Sequence, residues 1–238
     1  MSSTELIELL GSIEYLKKHY LQYNKTTPLP TSTEQELARA FSIFFHAELE
    51  HYFEKVALKL IDDVEMKFNS GIINSSTLSI IAFCGTKFVN AGEALSGNNY
   101  RTLKSEFFKR TKDLKDQIEK NHGTSEKYIS KIFIPLGISE KNIDPAWLSE
   151  INTLADDRGL FAHKSIVDSP KRPETINPAD VEARYKRIIY GNGSTFTGIN
   201  SIESLDAWYQ TITNNHSPTI STDGFVRKIL KFIKSIFK

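Results

Sequence analysis

Three observations predict an all-α protein. All eight prolines of the 238-residue chain lie outside residues 31–134, which leaves 104 consecutive residues without an obligate helix breaker. Apolar residues along the chain recur three or four positions apart, the spacing of one helix face. No segment alternates apolar and polar side chains with period two, and no internal repeat is present.

The elements follow in order. Residues 4–23 place Leu6, Leu9, Leu10, Ile13, Leu16 and Tyr20 at helical spacing. Pro28 and Pro30 then interrupt the chain before Thr31–Thr33, whose hydroxyls suit a helix cap. A long helix is expected from about Glu34 to Phe68, because Phe41, Phe45, Leu49, Tyr52, Val56, Leu60 and Val64 step by three or four throughout; Asn69-Ser-Gly71 ends it. Residues 77–95 are apolar but broken by Gly85 and Gly92, while 99–121 and 125–134 read as charged helices with apolar stripes. Pro135-Leu-Gly-Ile138 turns the chain. Asp144-Pro145 supplies a cap followed by proline at the first helical position, so a helix should run to at least Asp157. Pro170, Pro173 and Pro178 mark a loop, 178–189 a helix, and the glycine-rich 191–200 a flexible connector.

Composition sets the class. Thirty basic against twenty-nine acidic residues, with 39% hydrophobic side chains, describe an ordinary globular protein. The single cysteine, Cys84, has no intrachain partner. The N-terminus is acidic, unlike a signal peptide, and no run of 18 apolar residues exists, so a cytoplasmic location is expected. Charge is unevenly spread: residues 225–238 carry five basic groups and no acid, which leaves the other 224 residues at a net of −4. The body is therefore no constitutively basic reader of duplex nucleic acid, and any RNA contact must be local.

The segment Trp147–His163 is the most informative. Trp147, Ile151, Leu154 and Ala155 form one apolar stripe, and Arg158 falls in the middle of it. An unpaired guanidinium buried there would cost on the order of several kcal/mol, so either a carboxylate meets it or the stripe faces an interface or ligand at this level. His163 lies roughly 140° further round the axis, so the two side chains diverge, and a two-fold partner could bring both sets together. A plainer reading stays open beside this one. Gly159 would end the helix in a left-handed cap, Arg158 would decorate its last turn and His163 would be a loop residue.

Arg158-Gly-Leu-Phe-Ala-His163 resembles the Arg-x4-His motif of the HEPN superfamily. Its setting is similar to the RiboL-PSP-HEPN branch: a long early helix with Arg39-Ala-Phe and Ala47-Glu-Leu-Glu50, a Pro135-Leu-Gly-Ile turn, then Asp144-x-x-Trp-Leu leading to the motif. The resemblance covers about residues 5–190. It implies a HEPN-like helical bundle in 1–190; beyond it, composition and helical spacing predict additional C-terminal elements, a flexible connector with a short helix in 191–224 and a basic amphipathic helix in 225–238. It also implies homodimerisation and, as in many members, a metal-independent endoribonuclease built from Arg158 and His163 of both protomers, acting as a toxin or anti-phage effector with an antitoxin or defence-system partner. A non-catalytic interaction module is the alternative. The residue after the arginine, often a polar assistant elsewhere in the superfamily, is Gly159 here.

The residue types suit that chemistry. Attack by the RNA 2′-hydroxyl needs a base titrating near neutrality, such as His163, and a fixed cation for the developing phosphorane charge, such as Arg158. Glu50 matches the family's Leu-Glu pair, whereas Glu48 projects beside Phe41, Phe45 and Tyr52 and is expected to be the better buried partner for Arg158; a solvated face on a charged helix is the bland alternative for both. His46 and Glu50 share a helix face, but without a His-Glu-x-x-His motif or a second ligand pair no metal site is expected, and no cofactor is implied.

In residues 225–238 the apolar and basic side chains occupy opposite arcs completely, so a helix is expected that docks on its own bundle, grips a partner or lies on an anionic membrane surface. Vesicle flotation at two salt concentrations, with and without residues 225–238, separates these outcomes. A membrane anchor loses anionic-vesicle binding on truncation and keeps its Tm, whereas an internally docked helix lowers the Tm and binds vesicles in neither form.

Overall fold

The computed structural model describes residues 2–26, 29–83, 97–120, 123–163, 176–193 and 195–214, with backbone alone at 97–103 and 162–163. The amphipathic segment 225–238, Cys84 and the Gly85 and Gly92 breaks lie outside these residues. Among the described residues there are eight helices and no strand: α1 (Thr4–Tyr20), α2 (Ser32–Asn69), α3 (Ser75–Phe83), α4 (Gly97–Glu119), α5 (Glu126–Phe133), α6 (Pro145–His163), α7 (Pro178–Tyr190) and α8 (Ile202–Asn214). The expected all-α class is the observed one. The chain divides into two compact units, one of Met1–Lys55, His122–Ile129 and Glu140–Trp208, the other of Val56–Asn121, Ser130–Ser139 and Tyr209–Lys238.

In the first unit, Ser3 caps α1 by accepting a hydrogen bond from Leu6 N at 3.0 Å. Its own N–H and hydroxyl donate to the carboxylate of Asp206, which the Tyr52 hydroxyl also approaches at 3.5 Å. α2 starts with a reciprocal cap: Thr31 Oγ1 accepts from Glu34 N at 3.2 Å while the Glu34 carboxylate accepts from Thr31 N at 2.7 Å. Phe41, Phe45, Leu49 and Tyr52 are buried as their spacing requires, and Phe41 and Phe45 pack against Tyr185 of α7 with ring centroids 5.5 and 6.0 Å away.

α6 is fastened at several points. Asp144 Oδ1 accepts from Ala146 N at 2.9 Å, ahead of Pro145 at the first helical position. Trp147, Leu148, Ile151 and Leu154 are buried. The Trp147 indole donates to the carbonyl of Ile188 at 3.0 Å, Arg187 donates twice to Glu150 at 2.7 and 3.1 Å, and Arg184 pairs with Asp157. α7 is itself capped by Asn177 and opened by Pro178.

The segment read from composition as a flexible connector is held at its far end. Ile199 bridges Ile143, with Ile199 N donating to Asn142 O at 2.7 Å and Asp144 N to Ile199 O at 2.8 Å. Gly198 permits that approach, because a Cβ there would collide with the Asn142 carbonyl and the Phe196 ring.

In the second unit, Leu60, Ile61, Val64 and Phe68 of α2 are buried, and Phe68 lies 4.2 Å from Phe107 of α4 between ring centroids. Asn74 caps α3 by accepting from Thr77 N at 2.8 Å. The Pro135-Leu-Gly-Ile turn closes as expected, with Gly137 N on Ile134 O and Ile138 N on Phe133 O. Lys67 places its ammonium on the last carbonyls of α8, at 3.2 Å from Ile212 O and 2.6 Å from Thr213 O.

Gly198→Ala should break the Ile143–Ile199 bridge and lower stability by about 1–3 kcal/mol, as expected for overpacking against backbone that cannot move cheaply. Urea unfolding measures it, and an unchanged midpoint would show that the bridge contributes nothing.

Candidate active site

α6 does not stop at Gly159; it continues to His163. Gly159 is helical, without the left-handed backbone a glycine cap needs, so the cap reading of this residue fails. Arg158 therefore lies within a helix, with the His163 backbone five residues on at its last position, and the divergence of roughly 140° between their Cα–Cβ directions follows from helix geometry. The side chain of His163 lies outside the described structure.

The stripe that carries Arg158 ends in open space. Trp147, Ile151 and Leu154 are buried and Ala155 is half-buried, but Arg158 is exposed at the edge of a cavity of about 190 Å³. The cavity is walled by His46 and Glu50 from α2, by residues 123–125 with Tyr128, and by Ala155 and Arg158 from α6. Of the two placements open to Arg158, burial against a carboxylate or a stripe that faces a ligand or interface, the structure has the exposed one: the guanidinium sits at the cavity, where its charge need not be dehydrated.

α2 and α6 pass this site in opposite senses, since Arg39 lies 5.9 Å from the centre of the Phe161 ring while His46 meets Arg158 seven residues later on α2. Arg39, His46 and Glu50 share one face of α2 because steps of seven and four residues return to almost the same angle. Glu48 is two residues from both His46 and Glu50, about 200° away on the helix. It is half-buried and is not among the cavity walls. Of the two glutamates, the structure brings Glu50 to the same cavity as Arg158, whereas the sequence favoured Glu48.

His46, which the sequence offers only as half of a weak metal pair, also lines this cavity. It is buried, with Nδ1 3.9 Å from Glu50 Oε2, too long for a hydrogen bond. Burial, aided by the positive charge of Arg158, pulls its pKa down to about 4, so the imidazole is neutral at physiological pH and adds no like charge beside the guanidinium. The available signal was the shared face of Arg39, His46 and Glu50, of which His46 and Glu50 alone read as a pair, too few for a metal site. Among the described residues no group of three or more His, Cys, Asp or Glu side chains is arranged to hold a metal ion.

Two further features shape the wall. Thr124 is fully buried, and among the described residues its Oγ1 has no hydrogen-bond partner. Gly123, at φ +147°, leaves room for the Tyr128 ring, which a Cβ would meet at 2.8 Å.

The RiboL-PSP-HEPN family matches residues 7–190, more than three quarters of the chain, and that span contains every wall of this cavity. The chain belongs to the RiboL-PSP-HEPN family. HEPN domains are all-α bundles, include ribonuclease effectors and commonly act as dimers on RNA. Searches of curated proteins and of solved structures found no match to the chain. Among the described residues of this HEPN protein, no helix is long and apolar enough to cross a membrane.

The low pKa of His46 makes stability depend on pH in a definite window. Between about 4 in the folded protein and the ordinary 6.5, the unfolded chain binds more protons, so stability rises with pH across this range and is lost as pH falls through 4. Glu182, held down to about 2 chiefly by Lys186 and Tyr23, acts in the same direction but at lower pH, between its ordinary 4.5 and 2. His46→Gln should flatten the urea midpoint between pH 4.5 and 6.5 while leaving the fall at lower pH. An identical slope in the variant would show that His46 is not the titrating group.

Proposed function

We propose that this HEPN protein is a metal-independent endoribonuclease, a toxin or anti-phage defence effector, whose catalytic domain spans residues 1–190 and whose site is completed by a second copy of the chain. The observation that carries this reading is the placement of Arg158: an exposed guanidinium at the mouth of a cavity, beside a neutral buried histidine, on a helix that runs on to His163.

In this mechanism His163 takes the proton from the RNA 2′-hydroxyl. The O2′–P bond forms and the P–O5′ bond breaks, leaving a 2′,3′-cyclic phosphate, and the departing 5′-oxygen takes a proton from solvent to become the 5′-hydroxyl. Arg158 holds the charge that builds on the non-bridging oxygens with two parallel N–H donors, a contact that an ammonium does not reproduce. His46 stays neutral beneath it, so the full positive charge of Arg158 faces the phosphate. Because Arg158 and His163 leave one helix in divergent directions, an isologous dimer supplies the missing half of each site.

Replacing Arg158 or His163 by Ala should each reduce RNA cleavage by at least ~100-fold, and the double variant should be little worse than the worse single one, because groups acting in one step are not additive. Arg158→Lys should not restore the rate, cleavage should survive excess EDTA, and the products should end in 2′,3′-cyclic phosphate. Light scattering should give twice the 27.0 kDa of one chain. Intact RNA after incubation with wild-type dimer, with Arg158→Ala weakening only dimerisation or partner binding, would replace the nuclease by the non-catalytic interaction module.

A further inference from the structure

We propose that Arg39 is a positioning residue of the nuclease: paired with Glu36, it clamps the Phe161 ring and so fixes the last turn of α6, which ends at His163. The proposal rests on the nuclease reading above and adds to it a residue that touches neither RNA nor the reacting atoms.

The turn from Arg158 to His163 needs support from outside the helix. Gly159 is a poor helix former, and among the described residues a Cβ there would meet nothing within 4 Å, so neither backbone stiffness nor packing strengthens this point. The last turn of a helix also lacks part of its backbone hydrogen bonding and frays. After Leu154 no described side chain of α6 is fully buried. The polar bonds that fasten α6 stop at the same level: Asn152 Oδ1 accepts from Glu126 N at 2.8 Å, Glu150 holds Arg187, and Asp157 holds Arg184.

Beyond Asp157 two contacts reach the motif from α2. His46 lies under the charge of Arg158, and the Arg39 guanidinium lies over the Phe161 ring, 5.9 Å from its centre. Seven residues make almost two helical turns, so both contacts come from one face of α2. One helix therefore sets the level of Arg158 and of the turn that follows it.

Arg39 is built for holding and not for catching a phosphate. Its side chain is mostly buried and its guanidinium already pairs with Glu36, one turn earlier on α2. A cation withdrawn from water is held more strongly by an aromatic face than an exposed one, and a positive charge beside the C-terminal turn opposes the helix dipole. Position 163 lies roughly 200° round the axis from Phe161, so the clamp grips the turn without occupying the side from which position 163 projects.

The test uses the full chain with Arg39→Met, which keeps the stem and removes the charge, and Phe161→Leu, which keeps apolar volume and removes the ring. Hydrogen exchange, which requires no cleavage, should show the amides of 160–163 losing protection at least ~10-fold in Arg39→Met, with those of 148–154 unchanged. In cleavage of a mixed-sequence RNA, kcat should fall at least ~10-fold with KM within ~2-fold of wild type. Arg39→Lys should recover most of kcat, because an ammonium also binds a ring face. Phe161→Leu should match Arg39→Met, and the double variant should be no slower than the slower single one. Unchanged exchange at 160–163, or protection lost equally across 148–163, overturns the clamp. Local loss of protection with unchanged kcat overturns the positioning role, and a raised KM with unchanged kcat overturns it in favour of a direct RNA contact. Wild-type protein that leaves RNA intact removes the nuclease reading and the role in cleavage with it, while the exchange result still decides the clamp.

Discussion

The fastening of α6 onto α7 is the constraint on which the site depends. A helix packed through an apolar stripe alone is free to slide or roll by part of a turn, and a shift of about 1 Å is enough to spoil a catalytic placement. Here the roll is limited by directional bonds: the Trp147 indole on the Ile188 carbonyl, the two-pronged Arg187–Glu150 pair and the Arg184–Asp157 pair. All lie at or before the turn that carries Arg158. The guanidinium therefore emerges from a fixed helix at a fixed angle, although the side chain itself is exposed.

The electrostatics of the site follow from an imbalance of burial. Arg158 remains in contact with water and keeps its charge without dehydration, while His46 beneath it is buried and gives its charge up. A protonated imidazole at that position would repel the guanidinium and compete for the same anion. The protein instead has one cation facing outward, a neutral ring beneath it and Glu50 on the same face of α2.

Several elements were legible in the sequence for identifiable physical reasons. The capping of α2 by Thr31 and Glu34, the Asp144-Pro145 start of α6 and the Pro135-Leu-Gly-Ile turn are local events decided by a few adjacent residues. The long buried stripe of α2 was equally plain because period and composition agree from Ala38 to Phe68. Less visible was the anchoring of the 191–200 segment: its glycines read as freedom, yet Gly198 serves to let Ile199 reach Ile143, a contact more than fifty residues away. The end of α6 was equally obscure, since a glycine five residues after Leu154 fits both a cap and a helix that continues.

By itself the sequence determined the all-α class, the positions of most helices and the family pattern, and it singled out Arg158 and His163 as candidates, because each depends on helix periodicity or on residues close together in the chain. Tertiary structure alone decided which glutamate shares the cavity with Arg158, and that His46 joins them there. Glu48 and Glu50 are both plausible on α2 considered alone; only the approach of α6 to the Arg39–His46–Glu50 face selects Glu50. The same holds for Thr124, an ordinary hydroxyl in the sequence, which is fully buried in the wall of this cavity with no hydrogen-bond partner for its Oγ1 among the described residues. Periodicity reports which residues share a face of one helix, but which face meets a second helix is set by packing between segments distant in the chain.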